Sequence, residues 1–373
     1  MILIKAQRDA LVRPLQTVSG IVERRHTLPI LSNVLIRKTG SVVSFLSTDI
    51  EIQITSHAEI GQSGEDAAIT VSARKFLDIL RSLPNDSEVT VSLSNRKLTI
   101  SQNKVRFNLQ TLAAEEFPTV KAPEQVSARL SVSQKSLKAL LHAVHFAMAQ
   151  QDIRYYLNGL LLVVEQDSLK AVATDGHRLA YNAITNLSMS EQAVSEKIEL
   201  IVPRKAIIEL QKLLQDNEDM VQVEFSNNQV KFNLGTIEIL SKLIEGKFPD
   251  YQRVIPKNHT KHIEIQRDVL HGALARAAIL TSEKFKGVRL TLAENALKIS
   301  STNAEQEEAI EELEVGYSLE PLDIGFNVQY LLDVLSNQKG QTVTLSLQDT
   351  NSSALISAPE DAEFKYVVMP MRI

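Results

Sequence analysis

The chain has 373 residues, of which 44% are hydrophobic and 23% are charged, as in a globular protein rather than a disordered or fibrous one. It contains no cysteine, which excludes disulfides, zinc–thiolate sites and a cysteine nucleophile. The formal net charge of −5 argues weakly, by itself, against nucleic acid as a partner. No apolar run approaches the ~18 residues that span a bilayer, and the apolar start before Lys5 is too short for a secretory signal. We therefore expect a cytoplasmic protein with no membrane partner.

Apolar residues recur at helical spacing in six segments of the chain. In the first segment Leu11, Leu15, Val18 and Val22 lie at positions i, i+4, i+7 and i+11. The predicted helices cover residues 7–22, 72–83, 133–148, 202–214, 266–280 and 327–338. Each third of the chain therefore holds two predicted helices, which we call its first and its second helix.

Short runs with alternating apolar and polar residues predict strands between and after these helices. Residues 230–234 (Val-Lys-Phe-Asn-Leu) show the pattern that is typical of a sheet with one wet face. The predicted strands are 34–37, 42–46, 50–54, 89–93, 97–101, 160–165, 169–173, 221–225, 229–234, 236–242, 287–292, 297–301, 342–347, 354–358 and 366–370.

One short block occurs three times, and it gives the period of the chain. Thr48, Thr174 and Thr302 each follow a predicted strand, and they are 126 and 128 residues apart. Two helices and an antiparallel sheet recur with the same spacing, so we predict an α+β fold with three tandem copies of one domain. The expected domains are residues 1–126, 127–253 and 254–373.

Charge is segregated between the predicted helices and the rest of the chain. The six helical segments hold 12 Lys and Arg but only 5 Asp and Glu, which gives them +7 and leaves −12 elsewhere. Helix propensity alone does not explain this, because Glu is as good a helix former as Lys. If the helices shared one surface, that surface would attract a polyanion despite the overall negative charge.

The middle copy of the block, with Asp175, Gly176 and His177, also permits a catalytic interpretation. Asp175 and His177 could form an acid–base pair, and His142 and His145 on one helix could bind a metal, as in a metal-dependent hydrolase. However, the sequence has no HExxH, GxSxG or phosphate-binding loop motif. A repeat scaffold that does not bind DNA is a further alternative.

Several blocks spread over all three repeats resemble the bacterial sliding clamp, the beta subunit of DNA polymerase III. They include residues 151–158 (Gln-Asp-Ile-Arg-Tyr-Tyr-Leu-Asn), 173–179 (Ala-Thr-Asp-Gly-His-Arg-Leu) and 366–373 (Tyr-Val-Val-Met-Pro-Met-Arg-Ile). The resemblance implies the DNA clamp fold, in which two subunits join head to tail into a ring of six domains. It implies a processivity factor without catalytic activity, cofactor or metal, which encircles duplex DNA and tethers the replicative polymerase.

The resemblance also implies a pocket for short linear motifs of the clamp loader, DNA polymerases and repair proteins. Its apolar walls and polar rim suit several ligands, since methionine side chains adapt their shape. The pocket residues carried over are Leu157, Thr174, Gly176, His177, Arg178, Leu179, Pro249, Arg253, Val254, Ser353, Val367, Val368, Met369, Pro370, Met371 and Arg372.

Two further sets of residues follow from the resemblance. Those expected at DNA are Arg25, Arg74, Gln151, Tyr155, Tyr156, Arg24 and Lys205, where the choice between Arg24 and Arg25 stays open. Those expected at the dimer interface are Lys75, Lys97, Lys104, Arg106, Phe107, Leu109, Ile279, Leu280, Glu305, Glu307, Glu308 and Glu311. The basic set lies in the first domain and the acidic set in the third, which suits a head-to-tail contact that closes into a ring.

Overall fold

The computed structural model describes residues 1–22, 28–123, 125–185, 187, 197–282 and 284–373. The helices in these ranges are α1 Arg8–Ser19, α2 Ala73–Ser82, α3 Gln134–Val144, α4 Arg204–Leu213, α5 Tyr251–Val254, α6 Arg267–Ala278 and α7 Val328–Asn337. None of the helices described is long and apolar enough to cross a membrane.

The strands in the same ranges fall into three series, one for each repeat. The first series is β1 Ile2–Gln7, β2 Asn33–Thr39, β3 Val42–Thr48, β4 Ile52–Ala58, β5 Ala67–Ser72, β6 Glu88–Ser94, β7 Lys97–Gln102, β8 Val105–Gln110 and the short β9 Leu112–Ala113. The second is β10 Ala128–Ser133, β11 Gly159–Glu165, β12 Ser168–Thr174, β13 Arg178–Ile184, β14 Ile198–Pro203, β15 Met220–Phe225, β16 Gln229–Asn233 and β17 Ile237–Lys242. The third is β18 Lys261–Gln266, β19 Gly287–Ala293, β20 Ala296–Thr302, β21 Glu308–Glu314, β22 Leu322–Asn327, β23 Thr342–Leu347, β24 Ala354–Ala358 and β25 Asp361–Val368.

Each repeat uses one motif twice: a strand, a helix and three further strands. The strand runs directly into the helix, and a polar residue at the junction caps two of the second helices. The Ser72 side chain accepts a hydrogen bond from the backbone N–H of Lys75, and Asn327 accepts one from Gln329. The buried face of α2 is formed by Phe76, Leu77 and Leu80, and burying each such side chain contributes roughly 1.5–3 kcal/mol.

The sheets are antiparallel, and two of them join neighbouring repeats. Strand β4 of the first repeat pairs with β17 of the second inside a nine-stranded sheet, and β13 of the second pairs with β25 of the third inside an eight-stranded sheet. The remaining two sheets have four strands each, in the orders β1-β6-β7-β8 and β21-β20-β19-β22. Strands β8 and β21 therefore stand at the edges of their sheets.

The chain divides into two compact units that differ from the three repeats. Within the described residues, one unit consists of 1–135 and 208–243 and contains the nine-stranded sheet. The other consists of 136–187, 197–207 and 244–373 and contains the eight-stranded sheet. The division falls inside the second repeat, since each half of its sheet belongs to a different unit.

The predicted α+β class and the six predicted helices are confirmed, with ends that move by a few residues. The strand that precedes each helix, from β1 Ile2–Gln7 onward, was not predicted. Three of these six strands, β10, β18 and β22, do alternate buried with more exposed residues, so the alternation was present but covers only six residues before the helical pattern begins. The strand predicted at 50–54 was placed too early: residues 49–51 form a turn and β4 begins at Ile52. The last predicted strand, 366–370, begins instead at Asp361 and ends at Val368.

Candidate functional site

The turn between β12 and β13 is held by the side chains of its first two residues. Thr174 Oγ1 donates to the carbonyl of Arg178 at 2.6 Å and accepts from the N–H of Gly176 at 3.1 Å. Asp175 Oδ1 accepts from the backbone N–H groups of His177 at 2.9 Å and Arg178 at 3.0 Å. Gly176 adopts φ +89°, which is costly for most other residues. The result is a rigid turn that presents His177 to solvent.

This geometry does not support the acid–base interpretation of Asp175 and His177. The carboxylate bonds the backbone N–H of His177 and the side chain of Arg178, whose Nε lies 3.1 Å from Asp175 Oδ2. His142 and His145 stack with ring centroids 5.6 Å apart. Within the described residues, no group of three or more His, Cys, Asp or Glu side chains could hold a metal ion.

Arg178 differs from the expected pocket residue because its guanidinium is occupied. Nη1 lies 2.5 Å from Asp333 Oδ2, Nη2 donates to the Phe146 carbonyl at 2.8 Å, and the guanidinium carbon is 4.5 Å from the centre of the Tyr330 ring. The side chain is only 10% exposed. Each of the three guanidinium nitrogens therefore already has a partner inside the protein.

The end of the chain separates into a buried strand and an accessible tail. Val367 and Val368 are buried in β25 opposite Leu179 and Arg178 of β13. After them, the Met369 N–H donates to the carbonyl of His177 at 2.9 Å and the Met371 N–H donates to the carbonyl of Gly325 at 2.8 Å. Met369 is 50% exposed, so it provides apolar surface beside the turn.

Several other predicted pocket residues lie in the same unit with different accessibility. Leu157, Thr174 and Leu179 are buried, so they can pack beneath the pocket surface but cannot contact a ligand directly. Val254 is 45% exposed, Pro249 is exposed, and Arg253 forms an exposed ion pair with Asp250 at 3.0 Å. The carbonyl of Ser353 is hydrogen-bonded to His259 Nε2 at 2.8 Å.

One aromatic residue near the tail was not selected from the sequence. Phe285 is 59% exposed and carries Lys284 Nζ 5.2 Å from its ring centre. It lies two residues before Gly287, where an added Cβ would meet the side chain of Ile373 at 3.2 Å. The available signal was a large aromatic residue between two lysines at a strand start, residues 284–286 (Lys-Phe-Lys).

The residues predicted at DNA fall on loops and helix starts. Arg24 and Arg25 lie outside the described residues. In the first unit, Arg74 is exposed and lies 3.7 Å from Asp78. In the second unit Gln151 is exposed with φ +57° and Tyr155 is 59% exposed, whereas Tyr156 is half-buried against the core cluster that includes Phe248 and Tyr251. Lys205 is half-buried near the start of α4.

The residues predicted at the dimer interface concentrate on the two edge strands and their surroundings. Phe107 and Leu109 are half-buried on β8, while Lys75, Lys97, Lys104 and Arg106 are exposed. In the second unit, Ile279 is 76% exposed, Leu280 is half-buried, and Glu305, Glu307 and Glu308 are exposed. Glu311 already pairs with Arg276 of the same chain at 2.5 Å, so it is less available than the other carboxylates.

Family models of the DNA polymerase III beta subunit match three successive parts of the chain. The N-terminal domain model matches residues 2–121, the central domain model 131–250 and the C-terminal domain model 252–372. The beta sliding clamp of Pseudomonas putida is 46% identical over 369 residues, which cover 98% of this chain and 99% of that protein. The clamp of Escherichia coli K12 is 43% identical over 367 residues, with the same coverage.

Solved structures agree with the sequence matches over the whole chain. The crystal structure of the DNA polymerase III beta subunit from Pseudomonas aeruginosa superposes with a TM-score of 0.95 at 44% identity and covers 100% of both chains. A Pseudomonas aeruginosa clamp bound to griselimycin gives 0.95 at 43% identity, also with full coverage. The chain therefore belongs to the DNA polymerase III beta subunit family: it is a sliding clamp, a non-catalytic processivity factor that works as a dimer on DNA.

Proposed function

We propose that two copies of this chain close a cytoplasmic ring of six domains, bounded near residues 126 and 253, by pairing β8 of one copy with β21 of the other. The observation that supports this most is the repeat itself. Strands β4, β13 and β21 hold the same place in the three repeats, and so do β17, β25 and β8. The first two pairs, β4–β17 and β13–β25, form within the chain. The third pair requires a second copy.

The same rule gives the register of that pairing. Phe107, Ile239 and Tyr366 are equivalent, because they face Ile100, Phe232 and Ile356 on the preceding strand. Ala309 is likewise equivalent to Ile54 and Ala180. Ile239 pairs with Ile54 and Tyr366 with Ala180, so Phe107 faces Ala309 of the second copy and Asn108 faces Glu308.

The charges of the two edges suit this antiparallel pairing. Lys75, Lys97, Lys104 and Arg106 surround β8, whereas Glu305, Glu307 and Glu308 lie at the start of β21. Pairing β8 with β8, or β21 with β21, would bring like charges together, so these residues favour the head-to-tail arrangement. They fix its register more than they add affinity. The apolar contribution comes from Phe107, Leu109, Ile279 and Leu280.

Because the chain has no cysteine, a pair of introduced cysteines tests the register directly. Directly opposite residues have Cα atoms about 4.5–5.5 Å apart, which a disulfide can bridge. The doubly substituted chain Asn108→Cys/Glu308→Cys should therefore oxidise to a covalent dimer on a non-reducing gel. Asn108→Cys/Glu312→Cys, displaced by four residues on the same face, should not. Efficient cross-linking of the displaced pair alone would exclude the register.

For the DNA contacts we propose the exposed groups Arg74, Gln151 and Tyr155, with Tyr156, Lys205 and either Arg24 or Arg25. A ring retains DNA topologically, so sequence-independent phosphate contacts that are individually weak are sufficient and still permit sliding. Clamp loaded on circular duplex DNA should be retained through gel filtration and lost after one cut in the circle. Equal retention on linear and circular DNA would contradict encirclement.

For the partner pocket we propose the surface formed by the turn at 175–177, the tail at 369–373, Val254 and Phe285. Clamp-loader and polymerase motifs, and griselimycin, would occupy it through apolar groups packed against Met369 and Met371. Removing residues 369–373 leaves β25 intact, since that strand ends at Val368. The shortened chain should remain a dimer, yet it should lose griselimycin binding and polymerase stimulation. Retained binding would refute this pocket.

A further inference from the structure

We propose that Arg178 and Asp333 form a buried strut that positions the peptide-binding turn, so that Asp333 controls pocket affinity without touching the ligand. This inference rests on the proposed pocket. It changes the role of Arg178 from a group that contacts the ligand to a positioning residue. It also gives a role to Asp333, which no sequence motif or resemblance had selected.

Arg178 connects two other parts of the second unit to the turn. Its Nε reaches Asp175 Oδ2 at 3.1 Å inside the turn, while Nη2 donates to the carbonyl of Phe146 beyond α3 at 2.8 Å. Its Nη1 reaches Asp333 Oδ2 on α7 at 2.5 Å. A planar guanidinium can satisfy three directions at once with fixed angles, which a lysine ammonium on a flexible stem cannot. The fork therefore fixes the orientation of Asp175 relative to α7.

Helix α7 holds the guanidinium through two residues that are one turn apart. Tyr330 lies under its plane, with 4.5 Å between the guanidinium carbon and the ring centre. Asp333 is itself fixed, because its second oxygen accepts from Gln329 Nε2 at 2.7 Å. The side chains of Arg178 and Asp333 are 10% and 26% exposed, so solvent screens this pair less than a surface pair.

The electrostatics keep the strut charged. Burial alone would lower the pKa of Arg178, but Tyr366, Asp333 and Asp175 together outweigh burial and raise it. Losing either partner leaves a buried charge or an unmet donor, which costs more than losing a surface pair. The strut should accordingly respond strongly to small changes in either side chain.

The equivalent positions in the other repeats do not contain this strut. Arg178 corresponds to Ile52 in the first repeat and to Glu307 in the third, by their places in the same turn. Asp333 corresponds to Glu209 on α4, whose Oε1 pairs with Lys212 at 2.7 Å instead. Ile52 is 1% exposed and is simply packed in the core. The strut thus accompanies the one turn that carries Gly176 and His177.

The test measures griselimycin affinity by calorimetry for the dimeric full chain. We expect Asp333→Asn to weaken binding about tenfold or more, since it removes a charged partner of a positioned group. Arg178→Lys keeps a positive charge but not the fork, so it should weaken binding to a similar extent. The double variant Arg178→Gln/Asp333→Asn should bind no worse than Arg178→Gln alone, because both changes break one connection.

Two controls separate positioning from general destabilisation. Val343→Ala opens a cavity in buried β23 and should lower the melting temperature without changing the affinity. Glu218→Gln removes a carboxylate from an exposed pair with Lys135, 3.4 Å apart, and should leave both unchanged. If Asp333→Asn binds griselimycin with wild-type affinity while removal of residues 369–373 abolishes binding, the positioning role of Asp333 is wrong but the pocket assignment stands. Equal weakening by Val343→Ala would also overturn it, and full binding after tail removal would instead overturn the pocket itself.

Discussion

The turn at Thr48–Ile52 in the first repeat and the turn at Thr174–Arg178 in the second are built with the same hydrogen bonds. Thr48 Oγ1 donates to the Ile52 carbonyl at 2.8 Å and accepts from the Ile50 N–H at 3.0 Å. Asp49 Oδ1 accepts from the N–H groups of Glu51 at 3.0 Å and Ile52 at 2.8 Å. The four bonds of the second turn match these in donor, acceptor and length.

The two turns differ only in the three residues that follow the aspartate. The first has Ile50, Glu51 and Ile52, and the second has Gly176, His177 and Arg178. The strand beside each turn continues past it with an equivalent bond: the Lys242 N–H donates to the carbonyl of Glu51 and the Met369 N–H donates to the carbonyl of His177, both at 2.9 Å. The neighbouring residue differs, because Lys242 is half-buried and charged whereas Met369 is apolar and 50% exposed. The Thr and Asp residues therefore set the shape of the turn, while the next three residues and the neighbouring strand account for the differences between the two turns.

The largest difference is expected from removing the two aspartates separately. Asp175→Ala loses two backbone bonds and the partly buried pair with Arg178, so it should cost about 3 kcal/mol of unfolding free energy. Asp49→Ala loses the same two backbone bonds, but the residue in the place of Arg178 is the uncharged Ile52, so the substitution should cost about 1–2 kcal/mol. Urea denaturation at fixed protein concentration, which keeps the dimer equilibrium constant, measures both. Equal costs would show that Arg178 adds nothing at Asp175.

The two threonines should instead behave alike in stability. Thr48 and Thr174 are 1% and 6% exposed, and valine has nearly the same shape but cannot bond the carbonyl or the N–H. Each substitution should cost about 2 kcal/mol, because it leaves buried polar groups unpaired. Only Thr174→Val should also weaken griselimycin binding. A loss of binding in Thr48→Val of the same size would mean that the first turn takes part in the pocket.

These turns also show how far the sequence could predict the site. The recurrence of a Thr-Asp or Thr-Asn pair identifies the repeated element, and the bonds of Asp175 show that it fixes a turn. Burial could not be foreseen: Thr174, Leu179 and Val367 were expected to line the slot, but they are 6%, 2% and 1% exposed. The partner of Arg178 could not be foreseen either, because Asp333 is 155 residues away and sequence pattern carries no distance.

The edge strands illustrate the same limit in the fold. Residues 305–314 contain six carboxylates, and no strand is predicted there from the sequence, yet Glu308–Glu314 forms β21, where exposed and half-buried residues alternate. In the proposed ring this strand is completed by another chain, so its apolar face is weak within one copy. Periodicity detects a strand from its buried face, so a strand whose partner is missing is the hardest to predict.

A smaller effect on stability is expected from substitutions at the central residue of each turn, Ile50 and Gly176, whose backbone φ is positive. Ile50 adopts φ +79° and Gly176 φ +89°, a region that is unfavourable for a β-branched residue but open to glycine and tolerated by asparagine. Ile50→Asn should relieve strain and stabilise the chain by about 0.5–1 kcal/mol. Gly176→Ala should destabilise it by a similar amount, since the added Cβ would also lie 2.8 Å from Arg154 Nη1. Thermal unfolding with opposite shifts in the two variants would support this comparison; shifts of the same sign would contradict it.

The smallest expected effect is a pH dependence that belongs to the second repeat alone. Burial lowers the pKa of both His142 and His145, and the nearby Lys339 and Lys138 lower that of His142 further. Since the unfolded chain then binds protons more readily, stability should be constant above a pH of about 6.5 and should fall below it, until the lowered folded-state pKa values are passed. Solvent screening limits the loss to roughly 0.5 kcal/mol for these half-buried groups.

The equivalent residues of α1 are Gln16 and Ser19, which do not titrate, so His142→Gln/His145→Ser reproduces the first repeat in the second. That variant should show a flatter melting temperature between pH 5 and 7, whereas an unchanged slope would assign the pH dependence to other groups.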